Sequence, residues 1–165
     1  MDLIKFKRSA ARKKTKLKAF LTKLDFLVPV EMPQLVKETD AQVWQEVDCT
    51  TCANCCKTMT PTFSKADIVR IAAHLETTPE AFTKKWLYKE EAGDWVNKKQ
   101  PCQFLKRNKC SIYEVRPKDC AEFPHHNKKP FDAYNDTFSN NLDKCPATLL
   151  LVDKLKKRIE EEYVW

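Results

Sequence analysis

Four cysteines fall within eight consecutive positions, Cys49, Cys52, Cys55 and Cys56, and four more follow at Cys102, Cys110, Cys120 and Cys145. Two residues between cysteines let a tight turn aim both thiolates at one centre, so the run C-x2-C-x2-C-C points to metal ligation. The side chains of adjacent Cys55 and Cys56 are expected to diverge, which favours two neighbouring centres or one thiol outside the ligand set. Eight thiolates suit two four-sulfur sites holding zinc or iron ions, or an iron-sulfur cluster. Spacing alone does not assign the members.

The rest of the chain favours metal over disulfides. No stretch approaches the roughly 18 apolar residues of a membrane span. The start, MDLIKFKRSAARKKTKLKAF, lacks the apolar run and cleavage site of a secretory signal. The expectation is therefore a reducing, cytoplasmic setting, where closely spaced cysteines serve metals more often than disulfides. The chain has one glycine, Gly93. That excludes the dinucleotide fingerprint, the P-loop and the nucleophile elbow, each of which needs glycine where backbone turns sharply or meets a phosphate. Met59 stands where a C-x3-C-x2-C run beginning at Cys52 and Cys56 would need its third cysteine. No catalytic motif is found. With 42% apolar and 32% charged residues and a mean hydropathy of -0.59, the core is modest, and a metal would help to staple it.

Charge divides the chain unevenly. Residues 1–24 carry nine Lys and Arg against Asp2 alone, while the remainder holds 21 basic and 22 acidic side chains. Leu3, Phe6, Ala10, Leu17, Phe20, Leu24 and Leu27 recur at helical spacing, interrupted by Lys13, so residues 1–27 read as a basic amphipathic helical arm. Its polar face is either simply solvated or a contact for nucleic acid, an anionic surface or a protein partner. Residues 28–48 read as a linker, with two prolines in Val28 to Pro33, followed by a short helix over Leu35 to Val47. Ser64 and Asp67 form a capping-box pattern ahead of Ile68, Ile71 and Ala72, and Thr78 with Pro79 starts another helix anchored by Phe82 and Trp86. Gln103 to Leu105 and Ser111 to Tyr113 suggest a small hairpin bearing Cys102 and Cys110 near its ends. From Pro146 onward, Leu150, Leu151, Leu155 and Ile159 mark a terminal helix.

Other candidates surround the cysteines. His125 and His126 lie within six residues of Cys120 and could replace a cysteine as nitrogen ligands, although a polar loop is the better reading. Arg116, Lys118 and Tyr113 could support the ligands by charge or hydrogen bonding; each also reads as an ordinary surface side chain or, for Arg116 with Pro117, as part of a turn.

Taken together, Cys49 to Cys56, the helix pair after Ser64, Trp95, the segment PCQFLKRNKCSIYEVRPKDCAEFP and Cys145 with Pro146 resemble the CxxCxxCC, or YkgJ-like, family of cysteine-cluster domains. The resemblance implies a zinc- or iron-chelating domain over residues 49–146; residues 147–165 lie outside it and, from their apolar spacing, are expected as a C-terminal helix packing on that domain. It supplies no substrate. A similar cysteine domain in flagellin lysine methylases would imply an iron-sulfur centre and methyl transfer or other protein modification. The expected fold is α+β and mainly helical: a small metal-stapled domain with a minor hairpin and long cysteine-bearing loops. The expected function is metal binding. An iron-sulfur enzyme and a metal-stabilised nucleic-acid or protein binding module are the alternatives.

Overall fold

A computed structural model describes residues 2–163. In chain order its elements are α1 (Leu3–Leu24), α2 (Met32–Glu46), α3 (Cys49–Cys52), α4 (Asn54–Thr58), β1 (Thr62–Phe63), α5 (Lys65–His74), α6 (Pro79–Trp86), β2 (Leu87–Lys89), β3 (Trp95–Asn97), β4 (Leu105–Lys106), β5 (Lys109–Cys110), α7 (Lys118–Glu122), α8 (Asn135–Asn141) and α9 (Pro146–Glu162). The fold is α+β and mainly helical, with its strands in two small sheets. Two compact units share the chain: residues 1–49 with 124–165, and residues 50–123.

The first unit is built on long helices. Asp2 caps α1 by accepting hydrogen bonds from the Ile4 and Lys5 amides at 2.9 and 3.1 Å, satisfying donors that a helix start leaves open. Phe6, Ala10, Leu17, Phe20, Leu21 and Leu24 form its buried stripe, and α1 packs on α8 and α9. The break in the stripe at Lys13 has a cause: its ammonium reaches Asp153 of α9 at 2.7 Å. Helix α2 begins earlier than its apolar spacing suggests, because Pro33 occupies the first turn, where its missing N–H costs nothing. It packs on α9, whose Leu151, Val152, Leu155 and Ile159 are wholly buried. A polar tie runs through this core. Buried His126 holds Asp40 at 2.7 Å through Nδ1 and Thr148 at 3.1 Å through Nε2.

The second unit is made of short pieces. Ser64 and Asp67 complete the capping box, with the Ser64 hydroxyl accepting from the Asp67 amide and the Asp67 carboxylate accepting from the Ser64 amide. Thr78 caps α6 with Pro79 in its first turn. Phe63, Ile68, Ile71, Ala72, Phe82, Leu87, Phe104 and Ile112 make the apolar cluster, in which the Phe82 and Phe104 rings stack 6.2 Å apart. An antiparallel sheet of order β1-β3-β2 pairs Phe63 with Trp95 and Tyr88 with Val96. Gly93, at φ 93°, sits in the β2–β3 turn, a backbone state disfavoured for residues with a Cβ.

The second hairpin is tighter than the sequence pattern suggests. Leu105 pairs with Cys110 and Lys106 with Lys109, leaving Arg107 and Asn108 as a two-residue loop with both φ positive, at 49° and 66°. Positive φ at both central residues is what a twist-matched hairpin turn requires. Tyr113 belongs to a short 3-10 turn rather than to a strand.

Candidate metal centre

In the second unit, three separate elements bring cysteines to α4. Ala53, at φ 49°, turns the chain between α3 and α4, so that Cys55 and Cys56 open the latter helix. Cys102 docks directly: its amide donates to the Cys56 carbonyl at 2.8 Å. Cys110 ends the tight β4–β5 hairpin, whose Asn108 side chain donates to the Thr51 carbonyl at 2.9 Å. Cys120 rides on α7, whose position is fixed by Asp67 accepting from the Lys118 amide at 3.1 Å and Asp119 accepting from the Thr62 amide at 3.1 Å. Arg70 joins this lattice by donating to Asp67 at 2.6 Å and to the Arg116 carbonyl at 2.9 Å.

The Cys56 charge bears on the three thiols brought beside it. Cys56 is lowered to about 7, chiefly because the Cys55 thiol donates to it, with Lys57 adding a favourable charge against the cost of burial. Cys102 is pushed up by burial and then by Cys56 and Cys110, against hydrogen bonds from the Phe104 amide and from Asn97, whose Nδ2 lies 3.5 Å from the sulfur. Burial and Cys56 also raise Cys110, while the Ile112 amide and the Arg116 charge oppose them. Cys120 is raised most strongly, by burial and then by Cys56, Asp119, Cys102 and Cys110.

A family model matches residues 48–146, with the description "Putative zinc- or iron-chelating domain". The chain belongs to the CxxCxxCC family. No curated protein and no solved structure gave a significant match to it. The matched span of the CxxCxxCC chain contains all eight cysteines, none of which forms a disulfide.

The donor set of this CxxCxxCC domain suits a thiophilic ion. Cys102 and Cys110 each accept a backbone amide from two residues further on, the kind of outer hydrogen bond that orients and tempers a thiolate ligand. Burial and the Cys56 charge disfavour the thiolate forms of Cys102, Cys110 and Cys120, and a bound cation would reverse that. Among the described residues, no three His, Cys, Asp or Glu side chains are already drawn together as a ligand group, so an ion would have to pull these sulfurs inward. Cys52 is buried in the same unit, Cys49 is exposed at the end of the first unit's opening segment, and Cys145 is buried in the first unit just ahead of Pro146.

The remaining candidates fall into place individually. The Arg116 guanidinium stacks 3.9 Å over the Tyr113 ring and lends its charge to Cys110. Lys118 contributes its amide to Asp67, and its ammonium turns to Glu122 at 3.5 Å. Both ring nitrogens of His126 are engaged by Asp40 and Thr148, which leaves no lone pair for an ion. His125 takes a left-handed backbone at φ 69°. Sequence reasoning missed Asn97 and Gln103: the Gln103 amide donates to Asn97 Oδ1 at 2.7 Å and thereby holds the Asn97 amide toward Cys102. No short motif marks that pair.

Proposed function

We propose that this chain chelates zinc or iron at a structural four-thiolate centre made by Cys56, Cys102, Cys110 and Cys120. The observation that carries the reading is the docking of three cysteine-bearing elements beside α4: the Cys102 amide donates to the Cys56 carbonyl, Asn108 of the β4–β5 hairpin donates to the Thr51 carbonyl, and α7 is held by Asp67 and by the Thr62 amide, with Cys56 raising the other three thiols. A bound divalent ion would favour the thiolate forms, offset their charge and cross-link the elements that carry them. The chain's own contribution is orientation. Amides of Phe104 and Ile112 aim two sulfurs, Asn97 supports one of them, and the Asp67 lattice sets the helix bearing Cys120.

The test is elemental analysis with an absorption spectrum on anaerobically purified full-length protein, beside Cys110→Ser and Cys120→Ser. The reading expects a stoichiometric amount of zinc or iron that falls in both variants. Iron accompanied by acid-labile sulfide and a broad visible band would replace mononuclear chelation with a cluster. Metal-free, folded protein with all its thiols titratable would end the proposal.

A further inference from the structure

Helix α1 has two long faces, and only one is covered. Opposite the buried stripe, Ile4, Ala11, Thr15, Ala19 and Thr22 follow one another at helical spacing and all face solvent. Cations border this strip of small and apolar side chains, with Lys5, Arg12 and Lys16 on one side and Lys7 and Lys18 on the other. Lys13 and Lys14 do not belong to it, since they pair with Asp153 and Asp143. Between Leu3 and Leu24 there is no carboxylate at all.

The strip ends on an apolar tip. Beyond Leu24 the backbone makes a further turn, with the Phe26 and Leu27 amides donating to the Lys23 carbonyl at 3.1 and 3.0 Å, so Phe26 continues the row of Thr22. Phe26 is 82% and Val30 91% exposed, and Leu27 and Val28 between them are exposed as well. Four bare apolar side chains around Pro29, at the end of a cation-flanked helix face, are costly in water unless something covers them.

We propose that the outer face of α1 and the Phe26–Val30 loop form a docking surface for an anionic lipid bilayer. The cations would meet headgroup phosphates, and the loop's apolar side chains would enter the boundary between headgroups and acyl chains. Nucleic acid fits less of the surface. Its phosphates would engage the cations, but three aliphatic side chains beside Phe26 would find no counterpart in a groove or on a base. Among the described residues no helix is long and apolar enough to cross a membrane, so the association is peripheral.

Flotation of the full chain with vesicles tests this. Phosphatidylcholine vesicles containing about one third phosphatidylglycerol should carry the protein up at least about tenfold better than phosphatidylcholine alone, and less well at high salt. The variant Phe26→Asp/Val30→Asp and the variant Lys5→Glu/Arg12→Glu/Lys16→Glu should each weaken flotation at least about tenfold while keeping the wild-type circular dichroism. Val30→Asp alone, at a side chain with almost no contacts, should weaken it in the same direction and guards against a folding defect. No flotation with anionic vesicles would overturn the proposal. So would flotation that survives all loop variants and is abolished by competing duplex DNA, which would make the face a general polyanion surface.

Discussion

The two units of this protein are held together by different physics. In the first, α1 runs 22 residues and α9 runs 17, and wholly buried Leu17, Leu21, Leu24, Phe138, Leu151 and Leu155 fill the space among the helices. Helices of that length with continuous apolar faces are stabilised mainly by tertiary burial. In the second, α4 and α7 span five residues each and no strand exceeds three. Isolated elements that short have no independent stability. A unit running from Thr50 to Phe123 also lies in the size range, below roughly 80 residues, where staples supplement a small core. The contrast teaches that apolar area suffices for one part of a chain, while its neighbour depends on directed polar contacts and, on the reading proposed above, on sulfur and metal.

Removing the ion should therefore produce the largest difference between the units. Chelation under reducing conditions should lower hydrogen-exchange protection of amides in residues 50–123 by about 100-fold or more, equivalent to about 3 kcal/mol of local stability. Amides in α1 and α9 should change by less than about tenfold. Equal loss in both units would mean that the ion stabilises the whole chain and would break the comparison. The reciprocal experiment is Leu155→Ala, at a side chain with no solvent exposure. It should cost about 2–5 kcal/mol in denaturant unfolding through lost burial and the cavity left behind, with metal stoichiometry unchanged in the folded protein.

A smaller effect is expected at Asp67. Its buried carboxylate accepts from the Ser64 amide and hydroxyl, from Arg70 and from the Lys118 amide. Although burial pushes this carboxyl up, those donors hold it below its usual range. Asp67→Asn should cost about 1–2 kcal/mol at neutral pH, the size of a lost cap with an added charge-assisted bond. Because the folded-state pKa is depressed, the contribution is fully present above the unfolded value near 3.8 and is lost as pH falls through the folded one. The gap between wild type and variant should accordingly begin to close only as the pH falls below about 4, and close fully below the depressed folded-state value. A gap that stays constant down to strong acid would show that shape at residue 67, rather than its charge, holds α5 and α7.

How far the sequence reached follows the same division. The stripe of α1, the Ser64–Asp67 box, the Thr78–Pro79 start and the helix after Pro146 are local patterns, and they are present, except that the stripe stops at Leu24 and Leu27 lies past the helix end, exposed. The β1-β3-β2 sheet was not anticipated, because strands of two or three residues are set by their partners across the chain rather than by their own alternation. Helix α8 hid behind its composition: NDTFSNN contains one large apolar residue, Phe138. The hairpin was placed from apolar spacing, whereas its true turn needs positive φ at Arg107, a residue that does not advertise it. At the candidate site the cysteines were legible as a set, but their grouping was not, since it depends on where α7 and the hairpin dock.

The smallest effect is expected where a polar contact lies in the apolar unit. Lys13 stands 2.7 Å from Asp153, with the two side chains 41% and 15% exposed. The pair is half solvated, and Asp153 retains Lys157 at 3.8 Å when Lys13 is removed. A double-mutant cycle of Lys13→Ala and Asp153→Ala should therefore give a coupling of about 0.5–1 kcal/mol, reduced further at high salt. That value would leave the contact as a means of accommodating a lysine at the margin of a buried stripe, with burial still the cause of stability. A coupling above about 2 kcal/mol, measured by denaturant unfolding of all four proteins, would show that the first unit also relies on directed polar ties, and the contrast with the cysteine unit would become one of degree.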